Sequence, residues 1–363
     1  MVQNAYNITQ LHALGETGTG QTIAIVDACN DPSIVSDLAS FDAQFGLPNP
    51  TLNVIYPQGT PSCPFAQKGW DVEISLDVEW AHVMAPTATI DLLLAKSAST
   101  ANLVGAWNYA LTNHKGSVIS NSWGSSSTCS TSMQSALSKA KTNHVTILAS
   151  AGDSGAWGTG TSQSIESPAD CNGVLTVGGT TLNVDSNGNY LSEQAWGSSC
   201  IAGTGTGGGF VTGTAEPSYQ ANAAIFDPYA LLGKPDVAAV ADPCTGVWVY
   251  DSQTYSGWTS TWGVVGGTSL SCPLWAGFLA DVNQMRAAQL PTPLNPVGVA
   301  LIPFLYSSIY GHAGSGTAYG TDFHDVISGT NGLPAGQGWD PDTGLGTPIA
   351  SNLAQVLGTN PSA

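Results

Sequence analysis

The chain has 363 residues, 42% of them hydrophobic, which is enough to bury one large core. Only 9% are charged, against a usual figure of about 25%, and seven Lys and Arg against 25 Asp and Glu leave a net charge of −18 at pH 7. So acidic a chain is a poor partner for nucleic acid or an anionic membrane surface.

The scarcity of bases also bears on behaviour in acid. With every carboxylate protonated, the seven Lys and Arg and the six His would leave a side-chain charge of only +13, where ordinary composition would give roughly +45. Self-repulsion at low pH would be mild, which argues for adaptation to acid. Seven cysteines in a Lys-poor chain point to an oxidising, secreted setting. Their spacing does not define a pairing. The odd number leaves at least one unpaired, and Cys272 is expected to be it. Met1-Val2-Gln3-Asn4 lacks the basic start and apolar core of a signal peptide.

In chain order, Gln21 to Asp27 reads as a buried strand ending in an acid, and Asp31-Pro32 opens a helical pattern through about Phe45. Thr51 to Tyr56 is a short strand, and Gly69 to Pro86 an amphipathic helix with a proline stop. Ala88 to Ala95 is a strand, Thr100 to His114 a helix, Ser117 to Ser122 a strand, Ser130 to Asn143 a helix, and Val145 to Ser150 a strand. This alternation, with strands apolar on both faces, predicts an α/β fold with a mainly parallel central sheet and helices on both faces. Ligands of such sheets bind beyond the carboxyl ends of the strands, where Asp27, Trp123-Gly124 and Ala151-Gly152-Asp153-Ser154-Gly155 all fall. Val174 to Thr180 is one more strand. From about 181 to 262 the pattern loosens into turns around Gly207-Gly208-Gly209. No composition break marks a linker, so residues 1–363 are expected to form one domain. The uncharged run Trp262 to Ala280 holds too much Gly, Thr, Ser and Pro for a membrane span, and Val297 to Tyr306 suits a core helix.

Gly266-Gly267-Thr268-Ser269-Leu270-Ser271-Cys272-Pro273 places a hydroxyl at a glycine bend that runs into a helical pattern. A serine there is most often a plain N-cap. The same place also suits a nucleophile, because free N–H groups and the helix dipole favour developing negative charge. Pro273 is expected in the first turn, where its missing N–H costs least. Glu73 and Asp77 lie four apart on their helix, so both carboxylates point the same way. No Lys or Arg occurs from Gly69 to Thr89, so the pair is expected to share a proton and to suit acid–base work in acid, rather than to form a merely solvated face.

The pattern G-T-S-x-x-x-P at Gly267 to Pro273 resembles the nucleophile motif shared by subtilisins and sedolisins, the serine-carboxyl peptidases. A subtilisin would need a His followed by Gly-Thr, and none of the six histidines is. Glu73-x-x-x-Asp77 resembles the catalytic acid helix of the sedolisins, Ser269 their nucleophile, and Asp153 in S-A-G-D-S-G their oxyanion-hole acid. The resemblance implies a subtilisin-like fold over nearly the whole length. It further implies that Glu73 acts as base to Ser269, Asp77 supports Glu73, and a protonated Asp153 donates to the tetrahedral oxyanion, so that activity disappears as that proton is lost. Trp123 matches the family's aromatic residue bordering the site. Asp27 stands where better-known members carry a Glu linked to the catalytic Glu, and is one methylene shorter.

Near the C-terminus the sequence resembles the sedolisin calcium site. That implies one structural Ca²⁺ held by the side chains of Asp325 and Asp340 and the carbonyls of Val326, Gly336 and Gly338, an all-oxygen set suited to the ion. Asp185 to Asn189 only superficially resembles such a loop, and a hairpin turn is expected there. The family also implies polypeptide substrates and an N-terminal prodomain that is removed, the chain starting about where the mature enzyme would. The expectation is therefore a secreted, monomeric acid endopeptidase. A tripeptidyl-peptidase of the same family, a His-dependent subtilisin-like protease, and a calcium-stabilised binding protein without catalysis stand as alternatives.

Overall fold

Strands that are apolar on both sides need helices on both sides, and the computed structural model has that layering. It describes residues 1–61, 63, 69–156, 165–197, 200–225, 227–253, 260–290, 298, 300–311 and 319–360. The first half runs α1 (Val2–Ala5), α2 (Ile8–Ala13), β1 (Thr22–Ala28), α3 (Ile34–Phe45), β2 (Leu52–Ile55), α4 (Trp70–Met84), β3 (Thr89–Ala95), α5 (Thr100–Thr112), β4 (Val118–Ser120), α6 (Thr131–Asn143) and β5 (Thr146–Ser150). There follow β6 (Leu175–Val184), β7 (Tyr190–Ala195), β8 (Gly209–Ala215), α7 (Ser218–Ala223), β9 (Leu231–Lys234), β10 (Val237–Val240), β11 (Val247–Tyr250), β12 (Trp262–Val265) and α8 (Thr268–Gln289). The C-terminal part adds α9 (Leu301–Phe304), α10 (Tyr319–Asp322), β13 (Phe323–His324), β14 (Thr347–Pro348) and α11 (Ala350–Thr359).

The central sheet has the order β10-β6-β5-β4-β1-β3-β2, with every neighbouring pair parallel, and β7 joins β6 antiparallel. Alternation along the strands feeds two cores. Ile23, Ile25, Ile90, Leu92 and Leu94 face the layer that holds α4, α8 and α11, whereas Ala24, Val26, Leu93 and Ile147 face α5 and α6. Ser99 and Ser130 cap α5 and α6, accepting from the Asn102 and Met133 N–H groups. Chain order reverses between β1 and β4, and that switch point is where a parallel sheet opens a crevice.

Four expectations are revised. The stretch expected to be loose is built of β7 to β12, mostly short antiparallel pairs whose runs are too brief to register as periodicity. Helix α4 is not amphipathic, because every residue from Ile74 to Met84 except Trp80 is buried, Asp77, Glu79 and His82 among them. Pro273 lies in the second turn of α8. The helix expected from Asp31 starts at Ile34, since the Asp31 carboxylate turns back to accept the Ser33 N–H at 2.8 Å. The Asp185 turn closes the β6–β7 hairpin as expected, its carboxylate accepting from Asn187 and Asn189. The apolar segment at 297–306 is helical over Leu301–Phe304 and continues as a wider turn over Leu305–Tyr310; Val297 lies outside the described residues.

Three disulfides join Cys29 to Cys63, Cys129 to Cys171 and Cys200 to Cys244, and Cys272 is free and buried. Among the described residues no helix is long and apolar enough to cross a membrane.

Candidate active site

Ser269 is the second residue of α8 and is half-buried. The helix starts from Gly267 at φ 104, a conformation that side chains resist. A Cβ at Gly267 would also lie 2.6 Å from Oδ2 of Asp153, so the missing side chain makes room for that carboxyl. Downstream, Pro273 has no N–H for the Ser269 carbonyl, its helical partner one turn back. The Ser122 hydroxyl fills the vacancy, donating to the Ser269 carbonyl at 3.2 Å. Ser122 stands two residues beyond β4 and is buried, so the helix start is tied to the sheet at the switch point.

The carboxylates come from two other elements. Helix α4 lies directly against α8, and the approach is so close that a Cβ at Gly277 would meet Met84 Cβ at 2.5 Å and the Ala81 carbonyl at 2.8 Å. This contact sets Glu73 beside Ser269, close enough for the serine hydroxyl to lower its proton affinity. One turn further along α4, Asp77 is fully buried within reach of the Ser122 hydroxyl, and Asp27 is fully buried on β1. Among the described residues, no oxygen of Asp27 or Asp77 has a hydrogen-bond partner.

Burial pushes Glu73, Asp77 and Asp27 above the usual carboxylate range, and each is raised further by the negative charge of another member or is coupled to one. The nearby Ser269 and Ser122 hydroxyls act the other way on Glu73 and Asp77, and more weakly than burial. Three facing carboxyls without a base among them will hold protons in common and titrate as a unit. The shorter Asp27 therefore still reaches the pair electrostatically.

Asp153 follows β5 by three residues, on a turn that opens to solvent. Its Oδ1 accepts from the Thr268 N–H and from the Thr268 hydroxyl, each at 2.8 Å. Protein atoms on its inner side push the carboxyl up, and the two Thr268 bonds pull it partly back. Trp123 is buried and packs 5.7 Å from Trp107, and its indole N–H has no partner among the described residues. An open cleft of about 670 Å³ begins beside Asp153, at Ser154 and Gly155, and extends past Thr181, Gln194 and Asn331. Ser122 and Thr268 were not singled out as site residues from sequence. Only the missing N–H of Pro273 hinted that a hydroxyl was needed near Ser269.

The predicted calcium ligands gather around one loop. The Asp325 carboxylate accepts the Gly338 N–H with both oxygens, at 3.1 Å each. Asp340 accepts the Gly336 N–H at 3.2 Å and the Asp342 and Thr343 N–H groups at 2.8 and 2.9 Å. Both carboxyls are pushed up by burial, Asp340 to about 6. Neither forms an ion pair among the described residues. Two unneutralised, partly desolvated carboxylates clasping a glycine loop suit a hard cation in charge and donor type.

A family model described as the subtilase family matches residues 77–296. Kumamolisin of Bacillus sp. (strain MN-32) is 34% identical over 94% of this chain and 61% of its own length. Sedolisin of Pseudomonas sp. (strain 101) is 25% identical over 95% of this chain and 59% of its own length. Tripeptidyl-peptidase 1 of Bos taurus is 28% identical over 98% of this chain and 63% of its length. The chain thus spans about three fifths of the length of these relatives. A solved structure of Pseudomonas sedolisin, a serine-carboxyl proteinase complexed with two molecules of pseudo-iodotyrostatin, superposes with a TM-score of 0.81 at 23% identity, covering 99% of this chain and 97% of that one. That likeness shows the fold. With a buried acid group set against a helix-borne serine, the chain belongs to the subtilase family and, within it, to the sedolisins.

Proposed function

We propose that the protein is an acid-active serine-carboxyl endopeptidase. The observation that carries this reading is the Ser269 hydroxyl set next to a Glu73 carboxyl whose proton affinity is raised by burial and by neighbouring acids. A carboxylate so placed is a stronger base than one in water. Ser269 Oγ attacks the scissile carbonyl carbon while its proton passes to Glu73. Asp153, protonated, donates to the oxyanion of the tetrahedral intermediate. The C–N bond then breaks, Glu73 returns the proton to the departing amine, and the acyl group stays on Ser269. Water reverses the sequence, losing a proton to Glu73 as it attacks, and the ester bond breaks with that proton restored to Ser269. Asp77 and Asp27 keep the shared proton inside the cluster. The open cleft that begins at Ser154 and Gly155, next to Asp153 in the chain, has room for an extended peptide.

The test is cleavage of an unfolded protein substrate between pH 2.5 and 8, with Ser269→Ala as control. The expected outcome is activity confined to acid and lost in the variant by about 10³-fold or more. A neutral or alkaline optimum would instead favour a His-dependent enzyme, and inactivity of folded protein at every pH a binding protein.

One Ca²⁺ would be held by Asp325, Asp340 and the carbonyls of Val326, Gly336 and Gly338, bracing the loop against the core. Stripping the protein with a chelator at pH 5.5 is expected to lower its melting temperature, and re-adding Ca²⁺ to restore it. An unchanged melt would remove the ion from the proposal. We further read the chain as one secreted catalytic domain, monomeric, made with a prodomain that is later removed. Its three disulfides suit an oxidising compartment.

A further inference from the structure

The Thr268 side chain is almost fully buried, and its hydroxyl has one proton to give. The Gly152 N–H donates to Thr268 Oγ1 at 3.0 Å, which turns the hydroxyl proton toward Asp153 Oδ1 at 2.8 Å. The Thr268 backbone N–H reaches the same Oδ1 at 2.8 Å. Asp153 Oδ2 accepts no hydrogen bond among the described residues, and it lies where Gly267 lacks a side chain. The two oxygens of one carboxyl are therefore unequal. An oxygen that already receives two donors is a poor seat for a proton, because a third hydrogen would point at the first two.

We propose that Thr268 is a positioning residue which confines the Asp153 proton to Oδ2, so that the carboxyl always offers an O–H donor on that side. The inference rests on the serine-carboxyl reading of Asp153. It explains why a threonine, rather than any small residue, precedes the serine. Its hydroxyl links the turn after β5, through Gly152, to the first turn of α8, and the link ends on the acid. The titratable side chain that faces Asp153 from the packed helices is Glu73 of α4, whose proton affinity the Asp153 charge raises. The same arrangement has a measurable side effect. Hydrogen bonds to Oδ1 favour the ionised form, so they lower the pH at which Asp153 loses its proton.

Thr268→Val keeps the side-chain shape and removes both bonds of the hydroxyl. It is expected to lower kcat by about 10- to 100-fold with little change in KM. The alkaline limb of kcat should also move to higher pH, because the carboxylate has lost a donor. Thr268→Ser keeps the hydroxyl and should return the limb to its position, whereas Thr268→Ala, smaller and free of any clash, should displace it as valine does. In an Asp153→Asn background, valine at 268 should leave the profile as asparagine alone sets it. An alkaline limb that stays in place in both Thr268→Val and Thr268→Ala, in protein shown to be folded by its acid melt, overturns the proposal. So does an equal loss from valine with and without Asp153. Full activity of Asp153→Asn by itself would fail the underlying reading of Asp153, and is a separate result.

Discussion

Glu73→Gln is expected to lower kcat by about 10³-fold or more at every pH while KM stays within a few-fold. The amide has nearly the volume of the acid, so the geometry of the α4–α8 contact is kept. What is lost is the capacity to take the proton. Asp77→Asn should cost less, about 10- to 100-fold, and its acid limb should move to lower pH. That sign follows from the coupling, since deleting one carboxyl from a like-charged set lets the others ionise more readily. Single-turnover measurement on a chromogenic peptide separates the two effects. If Glu73→Gln kept more than a tenth of the parent rate, the base would have to be sought elsewhere in the cleft.

The second large effect is a loss of stability as pH rises. Asp27, Glu73 and Asp77 are displaced upward by burial, and Asp31 and Asp281, both buried outside that group, reach about 7. Between the ordinary carboxylate range near 4 and about pH 7, the folded chain therefore holds more protons than the unfolded one. Stability from these groups is complete below about pH 4 and drains away as pH climbs through their folded values. His324, lowered to about 4 by burial, runs the other way between pH 4 and 6.5, but it is one group against five. The expected sum is several kcal/mol, or a melting temperature that falls by roughly 10 °C or more from pH 4 to 7.5 in constant excess Ca²⁺. Asp27→Asn, which cannot ionise, should flatten the slope. A melt that is level or rising over this interval would overturn the account.

The sheet was legible because its strands are long and apolar on both faces. Ile23 to Val26 and Ile90 to Leu94 alternate between two cores, and that pattern has no simpler solution than helices on each side. Glu73, Asp77, Asp153 and Ser269 were legible as motifs, each within a few residues of chain. What escaped were contacts between distant segments. Ser122 meets the Ser269 carbonyl across 147 positions and Thr268 meets Asp153 across 115, and no local pattern records either. The burial of α4 was missed for a related reason. Its acids and His82 suggest a wet face until Asp42, 3.2 Å from His82, and the Tyr250 N–H, donating to Glu79, are known to lie against them. The disulfides escaped because seven scattered cysteines allow many pairings.

The close seating of α8 on α4 at Gly277 bears on how the molecule is able to fail. On the serine-carboxyl reading, nucleophile and base ride on two helices that share one buried seam. Partial fraying at the surface leaves their separation unchanged, while parting the helices means opening the larger of the two cores. On that reading, activity is expected to be lost together with this core, so that a half-active population is half native molecules rather than a uniform set of impaired ones.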